Sequence, residues 1–562
     1  MGYQETYQRW LRYEQLDPAL KAELAAIEGN EKEIEERFYQ SLEFGTGGLR
    51  GVIGAGTNRM NKYTVRKATQ GLAQYIAKQG AEAKRKGVVI AYDSRHFSPE
   101  FAREAGLVLA HNGIKAYVFE ELRPTPELSF AVRHLGATAG IVITASHNPP
   151  EYNGYKVYWR DGAQIATELA AAITAEIAQV ENELEVEAAS LDEALADGRF
   201  SWIGAELDDA YQAKLQSLIL QPKEQNRDYK IVYTPLHGTG NKPVRRILAS
   251  MGFENVSVVP EQELPDANFS TVASPNPEEH QAFRLAIALA EKEGAELIMG
   301  TDPDADRTGV VVRDEQGKFV VLTGNQLGAL MLDYILSTRS ARGELPSNGV
   351  VIKTIVTSEI GAAVASRYGL ETLNTLTGFK FIGEKIKQFE ETGEKKFLFG
   401  YEESYGYLVG DFCRDKDAVQ ACMVAAEMGA YYKRQGRTLY QALMDLFGQI
   451  GFYREGLVSL TLKGVDGVQQ IQEMMEKLRQ HPPTHIAGIA VREAKDYKPG
   501  IDGLPPANVL KYFLADDSWF AARPSGTEPK IKFYFGVKGT SLTDSETRLA
   551  GLQKAVMDLV QA

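Results

Sequence analysis

The chain has 562 residues, of which 44% are hydrophobic and 24% are charged, and its formal net charge is −13. This length predicts roughly three or four domains, because one core would not grow so large, and the charge argues against general binding of nucleic acid or of an anionic membrane. A disulfide framework is excluded because the only cysteines are Cys413 and Cys422, and we predict neither a signal peptide nor a membrane span.

The N-terminal segment, residues 1 to about 41, has charged and aromatic side chains at helical spacing, which predicts a helical extension. Residues 44–51 follow with four glycines around Arg50. We expect a loop there that brings backbone N–H groups and a guanidinium close to an anion. The first α/β unit comes next, with helices predicted at 68–84, from 99 and at 166–184, and strands at 88–92, 115–119 and 139–143.

The same alternation of strand and helix restarts twice, with strands predicted at 229–233, 295–300, 349–356, 371–376 and 397–399. Such alternation indicates βαβ units. From about 454 the pattern changes to a strand at 456–462, hairpin-like pairs around Trp519 and Phe533, and a helix at about 543–559. We predict an N-terminal extension, three α/β domains and a C-terminal α+β domain, with boundaries at 1–41, 42–205, 206–325, 326–453 and 454–562.

The loop 144–149 follows the predicted strand 139–143 and has the sequence Thr-Ala-Ser-His-Asn-Pro. In an open α/β sheet, ligands usually bind at the carboxyl end of a strand. The hydroxyl of Ser146 is a poor nucleophile by itself and needs a base, a metal or a phosphate already attached. An ordinary turn is the alternative, because serine, histidine, asparagine and proline are frequent in turns.

Three aspartates, Asp302, Asp304 and Asp306, follow the predicted strand 295–300 at every second position. On an extended segment this spacing places three carboxylates on one side, a donor set that suits Mg²⁺. An EF-hand is rejected, since Arg307 and Arg313 stand where that loop requires glycine and glutamate. A solvated acidic turn remains the alternative.

Two further loops carry groups that bind sugar phosphates. The segment 523–527, Arg-Pro-Ser-Gly-Thr, offers a guanidinium and two hydroxyls to a phosphate monoester, although it is equally compatible with a surface turn. Glu402 and Ser404 stand two residues apart after a strand and can grip vicinal hydroxyls, with helix capping by Ser404 as the alternative.

Together these four loops resemble those of the α-D-phosphohexomutase family, and the resemblance covers about residue 44 to the C-terminus in the family's order. The phosphoserine loop matches 144–149 with 153–156, the metal loop matches 302–307, the sugar loop matches 400–406 and the phosphate loop matches 523–527. Within the family, segments 44–50, 153–159 and 378–380 look closest to the phosphoglucomutase and phosphopentomutase branch. The resemblance implies three similar α/β/α domains with mixed sheets and a C-terminal α+β domain around a central cleft.

The resemblance also assigns roles to individual residues. Ser146 would carry a phosphoryl group, with Lys156 as the general acid/base and Arg50 and His147 as further catalytic candidates. Asp302, Asp304 and Asp306, together with the phosphorylated Ser146, would hold Mg²⁺. The substrate-binding residues would be Arg307, Thr377, Gly378, Glu402, Ser404, Arg523, Ser525, Gly526 and Thr527.

The function that these roles imply is a cytoplasmic phosphoglucomutase, which interconverts glucose 1-phosphate and glucose 6-phosphate through a bisphosphate intermediate. Glucose 1,6-bisphosphate would serve as activator and sugar phosphates as the only partners of a monomer or homodimer. Phosphopentomutase and phosphomannomutase are the nearest alternatives. A glucose 1,6-bisphosphate synthase is more distant, because no P-loop for an activated donor is present, and a non-catalytic binding protein would be expected to lack the serine or an aspartate.

One position departs from the family's pattern. Some bacterial relatives carry histidine two residues after the sugar-loop serine, and this chain has Gly406 there. An acid/base role for that histidine therefore does not transfer. The stretch 413–417 is a candidate to contribute instead.

Overall fold

A computed structural model of the chain describes residues 2–45, 47–462, 465–525 and 530–561, with only the backbone described at 465 and 466. The chain forms two compact units. The first comprises residues 1–324, 379–400 and 404–436, and the second comprises residues 325–378, 401–403 and 437–562. Within the described ranges, no helix is both long enough and apolar enough to cross a membrane.

The N-terminal extension is helical, as predicted. Asp17 caps one of its helices through the Ala19 N–H, and proline occupies the first position of that helix, where its missing N–H has no cost. The extension has its own aromatic core around Trp10, which is fully buried against Phe38. Its helices are α1 (Tyr3–Arg12), α2 (Pro18–Ala26) and α3 (Glu31–Phe38).

The first sheet of the first unit has six strands in the order β1-β5-β4-β2-β3-β6. The strands are β1 (Gly48–Val52), β2 (Val88–Tyr92), β3 (Ala116–Phe119), β4 (Ala139–Ile143), β5 (Tyr152–Trp159) and β6 (Phe200–Ile203). The four strands β4, β2, β3 and β6 are parallel, whereas β5 runs antiparallel to both β1 and β4. The predicted strands at 88–92, 115–119 and 139–143 are confirmed.

Helices cover both faces of this sheet, which explains why β2 and β4 are continuous apolar runs with every residue buried. Alternate residues enter two cores: Ile90 and Ile141 pack with residues of α4 and α6, and Val89 and Val142 pack with residues of α7. The helices are α4 (Lys62–Lys78), α5 (Ala81–Lys86), α6 (Ser98–His111), α7 (Thr125–His134), α8 (Thr167–Ala178), α9 (Leu191–Ala196) and α10 (Ala205–Gln216).

The prediction of a loop over 44–51 is wrong for its second half, because β1 begins at Gly48. Gly48 pairs with Lys156 of β5, and a side chain at this position would collide with the Tyr155 carbonyl oxygen. The glycines therefore allow an antiparallel strand to approach closely, in addition to any turn that they form.

The second sheet of the first unit has the order β11-β10-β9-β7-β8, with β8, β7 and β9 parallel and β10 and β11 added as an antiparallel edge. Both sheets are therefore mixed, as predicted. The elements are β7 (Lys230–Thr234), α11 (Asn241–Ser250), β8 (Asn255–Val258), α12 (Pro260–Glu263), α13 (Arg284–Glu293), β9 (Leu297–Thr301), β10 (Thr308–Arg313) and β11 (Phe319–Val321).

The next part of the chain keeps the α/β alternation, and its predicted strands are also present. β12 and β13 pair in parallel, from Val350 opposite Glu371 to Thr354 opposite Thr375. The elements in order are α14 (Gly324–Ala341), β12 (Gly349–Thr354), α15 (Ile360–Arg367), β13 (Glu371–Thr375), α16 (Phe379–Thr392), β14 (Lys396–Glu402), β15 (Gly406–Leu408), α17 (Ala418–Arg434) and α18 (Leu439–Ile450).

The C-terminal part of the second unit is the predicted α+β domain. Its sheet has the order β16-β21-β20-β19-β18-β17, and every neighbouring pair is antiparallel. The elements are β16 (Phe452–Thr461), α19 (Val465–Gln480), β17 (His485–Ile486), β18 (Ile489–Asp496), β19 (Leu510–Leu514), β20 (Trp519–Pro524), β21 (Lys530–Gly539) and α20 (Leu542–Gln561). The hairpin that contains Trp519 and Phe533 and the C-terminal helix are confirmed.

Candidate active site

Ser146 lies in a turn just beyond the carboxyl end of β4, as the sequence predicted. Its backbone φ of +52° is in the left-handed region, which non-glycine residues rarely adopt. The turn is fixed by Thr144, whose Oγ1 accepts the Ser146 N–H at 2.8 Å and donates to Asp93 Oδ2 at 2.6 Å. The unusual backbone is thus held in place by buried hydrogen bonds.

Arg95 holds the same turn in place through hydrogen bonds to its backbone. It is 1% exposed, it pairs with Asp93 at 3.3 Å, and its guanidinium donates to four carbonyl oxygens. The acceptors are the carbonyls of Ser146 (2.6 Å), Asn148, Pro149 (2.8 Å) and Tyr152 (3.1 Å). A planar guanidinium can satisfy several fixed acceptors at once, so Arg95 holds the whole serine loop in one conformation.

The hydroxyl of Ser146 is directed at the aspartate loop. It donates to Asp302 Oδ2 at 2.7 Å and lies 3.2 Å from Nδ1 of His147, and the residue is 6% exposed. Burial, followed by the charge of Arg307, lowers the pKa of His147 to about 3, so the imidazole is neutral at pH 7. Two of the predicted catalytic residues are thus in hydrogen-bond reach of each other and of the predicted metal loop.

Asp302, Asp304 and Asp306 come together beyond the end of β9. Each offers an oxygen within 4.8 Å of the others, and their exposed fractions are 0%, 0% and 2%. Among the described residues, Oδ1 of Asp304 and Oδ1 of Asp306 accept no hydrogen bond. Buried carboxylate oxygens without donors are costly unless a cation binds them, so this donor set fits a hard divalent cation such as Mg²⁺.

Other carboxylate oxygens of the triad accept hydrogen bonds from the protein. Asp302 Oδ1 accepts the backbone N–H groups of Asp306 and Arg307 at 3.1 and 3.0 Å. Asp304 Oδ2 accepts from Thr125, whose backbone N–H also donates to the Asp304 carbonyl at 2.9 Å. These bonds fix the orientation of the Asp302 and Asp304 carboxylates, and Oδ1 of Asp304 and Oδ1 of Asp306 are left for a ligand.

Asp302 and Asp304 differ in how readily their carboxyl groups ionise. Burial, and then the charges of Asp304 and Asp306, raises the pKa of Asp302 well above its usual range. Burial opposes ionisation of Asp304 as well, but the ammonium of Lys156, a hydrogen bond with Asp302 and the charge of Lys416 together lower the pKa of Asp304. A carboxyl with a raised pKa beside a hydroxyl nucleophile is the kind of tuning found at catalytic sites.

Two lysines neutralise the triad. Lys156, on β5, lies with its Nζ 3.1 Å from Asp304 Oδ2 and 3.9 Å from Asp306 Oδ2. Lys416 lies 3.1 Å from Asp306 Oδ2 and 2.9 Å from Asp415 Oδ1. Lys156 was singled out by the sequence, whereas Lys416 was covered only by the candidate stretch 413–417.

Gly406 is the residue that makes room for Lys416. A Cβ at position 406 would collide with Cδ of the Lys416 side chain, whose ammonium is held by two carboxylates. The histidine that some relatives carry at this position could not be placed here without moving Lys416. Where some relatives have histidine, this chain thus has Gly406, together with the ammonium of Lys416 at the triad.

Two arginines lie around the same cluster. Arg307 follows the triad directly, and its Nη1 pairs with Glu278 Oε1 at 2.6 Å. Arg50 stands on β1 opposite Gly154 of β5, and its charge contributes to lowering the pKa of His147. Ser404, also in the first unit, is half-buried and precedes Tyr405, which has a φ of +65°.

The second unit holds the other predicted substrate residues that the structure describes. Glu402 Oε1 accepts the N–H of Gly378 at 3.1 Å, and Gly378 has a φ of +117°, which only glycine adopts without strain. Thr377 Oγ1 is buried and has no hydrogen-bond partner among the described residues. Arg523 lies on β20 and Ser525 just beyond it, while the predictions for Gly526 and Thr527 lie outside the described residues.

Comparison with known proteins finds matches over most of the chain. Three family models match in order: phosphoglucomutase/phosphomannomutase α/β/α domain I at residues 41–184, domain II at 209–317 and domain III at 323–449. A phosphoglucomutase of Staphylococcus haemolyticus is 40% identical over 514 residues, covering 90% of this chain and 91% of the relative. A phosphoglucomutase of Staphylococcus aureus is 40% identical over 533 residues, which cover 92% of this chain and 93% of that relative.

Solved structures show the same fold at lower identity. The open form of the exocytosis-sensitive phosphoprotein pp63/parafusin, a phosphoglucomutase from Paramecium, superposes with a TM-score of 0.71 at 18% identity, covering 93% of this chain and 96% of that one. A phosphoglucomutase/phosphomannomutase family protein from Burkholderia thailandensis gives a TM-score of 0.68 at 21% identity, with 92% and 97% covered. The chain belongs to the phosphoglucomutase/phosphomannomutase family of α-D-phosphohexomutases.

Proposed function

We propose that this protein is a phosphoglucomutase that interconverts glucose 1-phosphate and glucose 6-phosphate through a phosphorylated Ser146. The observation that carries the proposal is the hydrogen bond from the Ser146 hydroxyl to Asp302 within a buried acidic triad. The activity named for relatives that are 40% identical over nearly the whole chain supports the choice of reaction.

The chain's own residues account for phosphoryl transfer. Phosphorylated Ser146 would give its phosphoryl group to the free hydroxyl of a sugar monophosphate, so the Oγ–P bond breaks as the sugar O–P bond forms. Lys156 is our candidate general acid/base, because its Nζ lies at the triad. It would take the proton of that hydroxyl as the neutral amine, and the ammonium that results would pair with Asp304. The bisphosphate then turns around, and its other phosphoryl group returns to Ser146 while the proton goes back to the departing oxygen.

Charge is the main obstacle to this transfer. A Mg²⁺ ion held by Asp302, Asp304 and Asp306 would neutralise negative charge on the transferring group. Arg307 and Arg50 would bind phosphoryl oxygens, and the neutral imidazole of His147 would orient the serine hydroxyl. Arg95 and Thr144 keep the serine in place throughout, because the bonds that hold it are to the backbone and do not involve its hydroxyl.

Recognition of the sugar is assigned to the remaining predicted residues. Glu402, positioned by the Gly378 N–H, and Ser404 would bind the sugar hydroxyls together with Thr377. Arg523 and Ser525, with Gly526 and Thr527, would hold the phosphate that does not react. Glucose 1,6-bisphosphate would act as the activator, because it can phosphorylate Ser146.

The proposal is tested by kcat/KM for glucose 1-phosphate, ribose 1-phosphate and mannose 1-phosphate, with Mg²⁺ and a trace of the matching bisphosphate. A clear preference for glucose 1-phosphate is the expected result. A preference for the pentose would replace it with phosphopentomutase, and a preference for mannose 1-phosphate with phosphomannomutase. Turnover of none of the three would contradict a mutase altogether.

A further inference from the structure

Lys416 reaches the aspartate triad from the loop 413–417, which precedes α17. Its Nζ lies 3.1 Å from Asp306 Oδ2, and its side chain is 12% exposed. A lysine ammonium stands on a flexible four-carbon stem, so it keeps one position only where other groups hold it. The position of this cation therefore depends on its neighbours in the protein.

Asp415 is the neighbour that holds both ends of the Lys416 side chain. Its Oδ1 accepts the backbone N–H of Lys416 at 2.8 Å and the ammonium at 2.9 Å. Asp415 is itself buried. A rotation of this carboxylate would carry the ammonium away from Asp306.

Tyr158 holds the other oxygen of Asp415. It is a fully buried residue of β5, and its hydroxyl donates to Asp415 Oδ2 at 2.6 Å. Hydrogen bonds to a carboxylate are shorter and stronger than those between neutral groups. The tyrosine hydroxyl thus opposes rotation of the carboxylate that holds Lys416.

Strand β5 supplies this tyrosine on the same face as the first lysine of the site. Lys156 and Tyr158 are two residues apart on the strand, and alternate residues of a strand share a face. The Nζ of Lys156 lies 3.1 Å from Asp304 Oδ2. One strand thus positions both ammonium groups at the triad, Lys156 directly and Lys416 through Tyr158 and Asp415.

The backbone of the loop 413–417 is held by separate contacts. The N–H of Arg414 donates to Ser129 Oγ on α7 at 2.8 Å. Asp417 accepts from the hydroxyl of Tyr211, on α10, at 2.8 and 3.0 Å. Loss of the Tyr158 hydroxyl would therefore leave the loop in place and release only the Asp415 and Lys416 side chains.

We propose that Tyr158 is a positioning residue of this site, whose hydroxyl keeps the ammonium of Lys416 against the triad through Asp415. Tyr158 acts at one remove, because Asp415 stands between its hydroxyl and the ammonium. The inference rests on the proposed mutase reaction, in which a cation held in place stabilises the transferring phosphoryl group better than a mobile one. A tyrosine that only joined β5 to the loop would affect stability and not turnover.

Tyr158→Phe removes the hydroxyl and keeps the buried ring. We expect kcat for glucose 1-phosphate to fall about tenfold, with KM within about twofold of the wild-type value. Tyr155→Phe is the matched control, since Tyr155 is an equally buried residue of the same strand whose hydroxyl accepts from Thr69 at 3.1 Å. It should leave kcat unchanged. A wild-type kcat in Tyr158→Phe would overturn the proposal.

Lys416→Met tests whether Tyr158 acts through the lysine. If it does, adding Tyr158→Phe to Lys416→Met should lower kcat by less than about twofold, because the group that Tyr158 positions is gone. A further tenfold loss would show that Tyr158 acts by another route and would overturn the proposal. If Tyr158→Phe does not fold, Asp415→Asn, alone and with Lys416→Met, tests the same link and should give the same pattern.

A crystal structure of Tyr158→Phe reads the position of Lys416 without any turnover. We expect its Nζ to lie more than about 1 Å farther from Asp306 than in the wild-type protein, a displacement large enough to affect catalysis. An unchanged position would overturn the proposal. Absence of turnover by the wild type with every sugar phosphate tested would instead contradict the proposed function, and the position of Lys416 would still be measured.

Discussion

Arg95→Met is the substitution that most sharply separates support of the serine loop from the chemistry itself. Arg95 does not contact the Ser146 hydroxyl, yet it donates to four carbonyls of the loop and neutralises buried Asp93. Methionine keeps much of the side chain's apolar volume but removes every one of these bonds. The effect on turnover should therefore arise through the position of Ser146.

The size of the effect follows from the burial of the pair. Removing one partner of a buried ion pair costs about 3–5 kcal/mol, because the other charge is left without compensation. Ser146 has a positive φ that an unsupported loop would not keep, so part of this cost is expected to appear as opening of the loop. If about 3 kcal/mol is expressed in that way, kcat falls about hundredfold.

Two assays measure this effect. Steady-state turnover of glucose 1-phosphate gives kcat and KM, and we expect the loss mainly in kcat. Hydrogen–deuterium exchange of peptides that cover residues 144–153 reports loop opening without any need for turnover. Arg103→Met, at an exposed position on α6, is the control and should change neither. A kcat within about threefold of wild type, together with unchanged exchange, would refute the reasoning.

Three further predictions concern the groups around the triad and the C-terminal domain. Thr125→Val removes the hydrogen bond that Thr125 donates to Asp304 Oδ2 at 3.0 Å, so the carboxylate is held less firmly. In a metal titration, the Mg²⁺ concentration for half-maximal activity should rise about fivefold, and an unchanged midpoint would exclude a positioning role for Thr125. Gly406→Ala places a Cβ against the Lys416 side chain and displaces its ammonium from the triad. We expect kcat to fall about tenfold while the melting temperature stays near that of the wild type. Full activity would show that the position of Lys416 does not matter for turnover. Burial, and then the charge of Lys353, lowers the pKa of Lys511 to about 7, so this side chain is an ammonium below about pH 7 and a neutral amine above it. In ¹³Cε NMR of labelled lysines, one resonance should titrate near pH 7 and be missing in Lys511→Met. Persistence of that resonance in the variant would refute the assignment.

The secondary-structure elements could be predicted, and the candidate catalytic groups proposed, because their signals are local. Buried parallel strands such as 88–92 and 139–143 are continuous apolar runs, and the candidate groups stand at strand ends as short motifs around Ser146 and Asp302. The close approach of Ser146 to the triad was implied by the family resemblance, and the structure shows it directly. The five-part division of the chain remains a prediction.

The supporting groups were missed because their partners are distant in sequence. Arg95 was noted only within a polar loop, and its acceptors lie more than 50 residues away. Thr125 holds Asp304 across a separation of 179 residues. No periodicity or spacing records such contacts, since those of Arg95 depend on β2 and β4 being neighbours in the first sheet and that of Thr125 depends on how two sheets pack. Gly48 shows the converse: glycine composition predicts a turn, but strand pairing with Lys156 decides the conformation.

The central claim is that Ser146 carries the phosphoryl group during turnover. Its most direct test is mass spectrometry of the intact protein and of its peptides after incubation with glucose 1,6-bisphosphate and Mg²⁺, for the wild type and for Ser146→Ala. We predict one phosphoryl group on Ser146 of the wild type, and neither phosphorylation nor mutase turnover in the variant, with thermal unfolding unchanged. Phosphorylation at another residue, or turnover by Ser146→Ala at the wild-type rate, would contradict the account.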